Sequence, residues 1–153
     1  MEEIIELAQG FEGVLVVAPG PGGNAPAIAW GDSFFYYAPD GQMPANVQPY
    51  ATIVTKNYPD DTTSGLDPDG RWRLNIHVDP ATFLQLTGDA PRTIHQMWNY
   101  AAADVVMPHP VYGPLGWIAV VNPADATIET VRGLLRTAHA AARARWERRH
   151  EKN

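Results

Sequence analysis

The chain has 153 residues, 45% of them hydrophobic, no cysteine and a formal net charge of -6. That length and apolar content suit one folded domain, residues 1–153, and the composition excludes disulfides, thiolate catalysis and cysteine-held zinc or iron–sulfur centres. The charge is uneven: residues 1–131 hold four Lys/Arg against fifteen Asp/Glu, net -11, while residues 132–153 hold seven against two, net +5.

The acidic body repels nucleic acid, so only the C-terminal end could attract it. A nucleic-acid patch would interleave aromatics with its cations, and Trp146 is the one aromatic there. Cations also suit the negative end of a helix. Nucleic acid is therefore the weakest partner class. No apolar run approaches the roughly 20 residues that span a bilayer. The start, MEEIIELAQGF, is acidic and amphipathic, unlike a secretory signal. The expectation is a cytoplasmic protein with no membrane partner.

Residues 2–11 read as a helix, with Ile4, Ile5, Ala8 and Phe11 at helical spacing and Glu2 and Glu3 at the positive dipole end. Residues 14–18 are a β-branched apolar run, hence a buried strand. PGPGGNAP, residues 19–26, is a wide turn; it lacks the Lys-Ser/Thr pair of a phosphate loop, and its prolines remove amide donors. A second strand region covers residues 27–30 and 33–38, with Phe34 and Tyr36 on one face and Phe35 and Tyr37 on the other. Asp32, following Gly31, reads as a turn residue and not a catalytic acid.

After turn material at 39–49, residues 50–56 make a third strand whose polar end, Lys56-Asn57-Tyr58-Pro59, could face a cleft. The acidic loop 60–70 holds Asp67, Asp69 and Gly70, a fragment of a calcium loop without its later Glu, so it is read as a turn. Residues 71–78 form a fourth strand. Trp72, Leu74, Ile76 and Val78 make its core face; Arg71, Arg73, Asn75 and His77 make either a wet face or the floor of a site.

Asp79 and Pro80 start a short helix to about Leu86, stopped by Gly88. Residues 91–103 read as helical through Ile94, Met97, Trp98 and Ala101. Residues 117–121 are an apolar strand. The last helix, capped by Asp125 or Thr127, has an apolar stripe from Ile128 to Ala142 and a basic stripe of Arg132, Arg136, His139 and Arg143. Its pattern fades after Ala144, so 145–153 is expected to be a frayed basic tail.

Strands in succession between terminal helices predict an α+β two-layer sandwich: a mostly antiparallel sheet of five to six strands flanked by N- and C-terminal helices. The segments WGDSFFYYAPDG, PYATIVTKNYP, RWRLNI and MPHPVYGPLGWIAVVNP resemble a family of short bacterial proteins classed as a domain of unknown function, across residues 2–145. More distantly, the FFYYAP strand, the TIVTK strand and the Trp117 strand are similar to those of the MmcQ/YjbR proteins, which implies the CyaY-like (frataxin-like) fold. The resemblance carries no established activity. Frataxin-type iron binding would need an acidic first helix, of which Glu2, Glu3, Glu6 and Glu12 are a thin version that helix solvation explains as well.

Three groupings carry candidate chemistry. His109 stands between two prolines with Tyr112 three residues on; a rigid, exposed imidazole there could bind a ligand or act as a general base, or it could lock its own loop. Lys56 and Arg73, with Tyr58 and Asn75, could hold an anion, or the two cations could pair with Asp32, Asp60 or Asp61. His77, His95 and His109 have no metal-ligand spacing, so neither a metal nor a cofactor is expected. The only serines, Ser33 and Ser64, lie outside any nucleophile motif.

The first reading is a non-catalytic binding or interaction domain, with a polar and aromatic groove for a small molecule or a protein partner. The second is an enzyme using His109, Tyr112 and Lys56 on a small anionic substrate. The third is nucleic-acid binding through the C-terminal helix.

Overall fold

A computed structural model of the chain describes residues 1–151. The β-branched and aromatic runs become six strands: β1 (Val14–Val17), β2 (Ser33–Tyr37), β3 (Ala51–Val54), β4 (Arg73–His77), β5 (Met107–Pro108) and β6 (Trp117–Val121). They form one sheet in the order β1-β2-β3-β4-β6-β5, every neighbouring pair antiparallel. Three helices accompany it: α1 (Glu2–Gln9), α2 (Pro80–Thr87) and α3 (Ile128–Glu151). The chain is an α+β fold with helices at both ends of an antiparallel sheet.

The period of two sorts each strand onto two faces. In register, Phe35, Ala51, Ile76 and Ile118 lie side by side, and Ile53, Leu74 and Val120 form the next row. All seven are fully buried. Ile4 and Ala8 of α1, Phe83 of α2, and Val131, Leu135 and Ala138 of α3 complete this core. Truncating a buried leucine such as Leu135 to alanine costs about 2–5 kcal/mol, so the apolar stripe anchors α3. The alternate residues form the second face: Phe34, Thr52, Asn75 and Ala119 in one row, Val54, Arg73 and Val121 in the next.

α2 follows its local signals, with Asp79 accepting from the Thr82 amide at 2.8 Å and Gly88 ending it at φ 83. α3 is capped from a distance. Asp104, at φ 58, accepts from the amides of Ala124, Ala126 and Thr127 and from the Thr127 hydroxyl. Those donors hold its carboxyl below the usual range, the Thr127 hydroxyl contributing most.

Four expectations are corrected. Residues 27–30 are not a strand; Ala27–Ala29 is a 3-10 turn, closed by Ala29 N–H to the Pro26 carbonyl at 3.0 Å. Residues 91–103 contain no helix, because the Asp89 carboxylate takes the amides of His95 and Gln96 that a helix would use. His139 is not part of a basic stripe. It is buried among Phe11, Tyr37 and Tyr50, with Nε2 2.8 Å from the Glu12 carbonyl and Nδ1 3.1 Å from the Tyr50 hydroxyl. Burial lowers its pKa. Finally, α3 stays helical to Glu151, with Trp146 edge-on to Tyr37 and Arg143 bonded to Glu147 at 2.8 Å. Lys152 and Asn153, the end of the expected frayed tail, lie outside the described residues.

Candidate functional site

The second face of the sheet is the floor of a cavity of about 560 Å³. Thr52, Val54, Arg73 and Asn75 rise from its strands, with Phe34 and Trp117 as aromatic flanks. The 3-10 turn supplies Ile28 and Ala29, the loop after β3 supplies Tyr58, Asp60 and Asp61, and the loop before β6 supplies His109, Tyr112 and Leu115. An apolar wall around a few convergent polar groups is the usual make-up of a small-molecule site.

Arg73 is the centre of the floor, 1% exposed. Its Nε donates to Asn75 Oδ1 at 2.8 Å; Nη1 donates to Asp61 Oδ1 at 2.9 Å and to Ser64 Oγ at 3.0 Å; Nη2 donates to Asp61 Oδ2 at 2.5 Å. Four of the five guanidinium N–H groups thus have acceptors. Nη2 also lies 3.0 Å from His109 Nε2. A buried guanidinium is tolerated only when so paired. Burial pushes the Asp61 carboxyl up, but the Arg73 hydrogen bonds and charge outweigh it and hold the group below the usual range.

Arg71 shapes the loop that delivers Asp61. It donates to the carbonyls of Gly65, Ser64 and Ala101, each at 2.8 Å. Asn57 accepts from the Leu66 amide, and Leu66 packs with Val54, Val121 and Tyr58 in a small second core. Asp67 accepts from Asn57 and so acts as a turn residue.

His109 is buried, not exposed as its flanking prolines suggested. Its amide pairs with the Trp117 carbonyl at 2.9 Å. Its Nδ1 accepts from the amides of Val111 and Tyr112 at 3.0 and 2.9 Å. A neutral ring with that nitrogen engaged carries its proton on Nε2, which lies 3.7 Å from Asp61 Oδ2. Burial and the neighbouring Arg73 charge, partly opposed by Asp61, lower its pKa to about 3. A general base needs a free lone pair on one ring nitrogen; here one lone pair holds two amides and the other nitrogen bears the proton. The imidazole locks the loop. Gly116 completes that turn at φ 93, where a Cβ would sit 3.1 Å from the Val78 carbonyl oxygen.

Asp32 is the buried residue that sequence reasoning assigned to a turn. It is fully enclosed and accepts from the Thr55 amide and hydroxyl at 2.8 and 2.7 Å and from Lys56 Nζ at 2.9 Å. The Tyr58 hydroxyl donates to its other oxygen. Burial, with the Asp32 hydrogen bond and charge, raises the Tyr58 pKa.

Of the six residues singled out from sequence, Tyr58, Arg73, Asn75, His109 and Tyr112 line this one cavity. Lys56 does not. Its ammonium is held by Asp32 and by the Trp30 carbonyl, each within 3.0 Å. Both cations are thus paired, as the alternative for them foresaw. Asp61, Thr52 and Trp117 were missed as cavity residues. Thr52 shares its strand face with Val54, so alternation could have found it; Asp61 is placed by contacts far along the chain. Among the described residues no group of three or more His, Asp or Glu side chains is placed to hold a metal, and no helix is long and apolar enough to cross a membrane.

Fold and cavity together define an α+β domain with a hollow of about 560 Å³ on the sheet face opposite the α-helices, floored by a neutralised, largely buried ion pair. The chain belongs to DUF6194, a family of unknown function, whose model matches residues 1–151. No curated protein and no solved structure matches it significantly.

Proposed function

We propose that this is a cytoplasmic, non-catalytic binding domain that holds a small molecule with an uncharged, aromatic or heteroaromatic body in the cavity on the second sheet face. The observation that carries this is the state of Arg73. Four of its five N–H groups are committed to Asn75, Asp61 and Ser64 and the Asp61 carboxylate balances its charge, so the floor offers no net positive charge to an anionic substrate. The remaining capacity on the floor and walls is the Thr52 hydroxyl hydrogen, the second Asn75 amide hydrogen and the exposed Tyr112, with the exposed Asp60 carboxylate also lining the cavity. Phe34, Tyr58 and Trp117 supply aromatic faces for stacking.

The alternative, an enzyme working on a small anion through His109, loses both its base and its cation in this geometry. The FFYYAP, TIVTK and Trp117 segments also support a distant kinship with the MmcQ/YjbR proteins, as does the sheet between terminal helices, and we hold that kinship as part of the same proposal.

The test is a thermal-shift screen of the full chain against uncharged aromatic and heteroaromatic metabolites. A ligand at a hundredfold its Kd adds about 2.7 kcal/mol to stability. Ala29→Trp, on the cavity wall and outside the hydrogen-bond network, should abolish the shift while leaving the free protein folded. Hits that stabilise the filled variant equally, or a library that produces no shift, would defeat the reading.

A further inference from the structure

A second hollow, of about 210 Å³, opens where the ends of β2, β4 and β6 meet the last turns of α3. Its titratable lining is Arg145 and Arg149 from α3, His77 from β4, and tyrosines; no carboxylate lines it among the described residues. Arg145 is half-buried, and the ion pairs formed among the described residues leave it out. Burial, then the charges of Arg149 and Arg148, lower the Arg145 pKa. Burial and the Arg145 charge likewise hold His77 below its ordinary value, against a hydrogen bond to Leu115. Positive charge is thus concentrated and desolvated in a protein that is acidic elsewhere, an arrangement that an oxyanion relieves.

The hollow is also not isolated. Gln48, Pro49 and Trp117 line both it and the large cavity, so those three residues are the saddle between the aromatic-walled site and a basic one. We propose that the smaller hollow is the anion subsite of one bipartite ligand site. It takes a phosphate group carried by the molecule whose uncharged aromatic body lies in the large cavity. The joining of the two halves rests on the binding function proposed above; the anion subsite rests on the half-buried Arg145 beside His77 in this hollow.

Three probes separate the parts, titrated into the full chain at constant ionic strength by calorimetry and by shifts of the Trp117 indole and His77 ring signals: inorganic phosphate, 2-naphthol and 2-naphthyl phosphate. Inorganic phosphate should bind saturably. Arg145→Gln should weaken it about tenfold, the effect of one lost charged hydrogen bond, whereas Arg136→Gln, an exposed cation on the same helix, should change nothing. The naphthyl phosphate should bind at least about tenfold tighter than either fragment, and Ala29→Trp should remove naphthol binding but not phosphate binding. The anion subsite is overturned if Arg145→Gln leaves phosphate affinity unchanged or if Arg136→Gln lowers it equally. The bipartite site is overturned if naphthyl phosphate binds no better than its fragments. Phosphate binding through Arg145 with no response to naphthol keeps the subsite and rejects the small-molecule reading of the large cavity.

Discussion

Asp61→Asn is the sharpest test of the cavity floor. The substitution keeps the shape and one acceptor oxygen but removes the charge that two Arg73 nitrogens approach at 2.9 and 2.5 Å. Arg73 is 1% exposed and Asp61 11% exposed, so the pair is largely removed from water. Stranding one member of such a buried pair costs about 3–5 kcal/mol, roughly a fifth or more of the total stability of a typical domain. Urea unfolding at pH 7, followed through the five tryptophans, should show a loss near the lower end of that range, since the asparagine oxygen still accepts one bond. Arg73→Met combined with Asp61→Asn removes the stranded charge and should be more stable than Asp61→Asn alone. The native Asp61 carboxyl is depressed. Its contribution is therefore fully present above the unfolded value near 4 and lost as pH falls through the lower folded value, so the single-variant deficit should be flat from pH 5 to 7, the span tested. A loss under about 1 kcal/mol, well short of the buried-pair range, or a double variant no better than the single, would refute the argument that the ion pair neutralises the floor.

His109 makes the folded protein refuse a proton that the unfolded chain accepts. Its folded pKa is about 3 against roughly 6.5 unfolded, so stability should fall as pH drops below that upper value, by about 1.4 kcal/mol per pH unit for each such group. His109→Gln should make the stability–pH slope between pH 4 and 6 shallower by about that amount; equal slopes in denaturation series would count against the buried neutral ring. Gly116→Ala, at φ 93 and 3.1 Å from the Val78 carbonyl, should cost about 1–2 kcal/mol from backbone strain and more than Gly41→Ala, where φ is 73 and no atom lies within 4 Å. Equal melting temperatures for the two variants would remove the contact argument. Asp104→Ala should lower the melting temperature by uncapping α3, and Asp104→Asn should retain part of the loss; a melting temperature unchanged by Asp104→Ala would show that the cap carries no stability.

The strands were legible because their signals are local. The run Val14–Val17, the aromatics of β2 and the alternation from Trp72 to Val78 each announce a pleated segment without reference to the rest of the chain. The same alternation placed Arg73 and Asn75 on the non-core face, which became the cavity floor. Where the ladder ends, alternation stops informing: β3 closes at Val54, so Lys56 turns away to Asp32. The buried role of Asp32 depends on donors 23 to 26 positions downstream, which no spacing rule reaches. Residues 91–103 mimicked a helix through Met97, yet Met97 is fully exposed, so the spacing did not record burial. His139 was readable and was misread. It lies four residues after Leu135, on the same apolar stripe, and the stripe was buried there.

The two borders of the sheet differ in what they offer another chain. β5 is two residues long, and one of them, Pro108, has no N–H to donate. β1 at the opposite border is a run of four apolar residues. Linear growth of a sheet from molecule to molecule needs a receptive border on each side. With one border of four residues and the other of only two, the sheet is poorly suited to that linear growth.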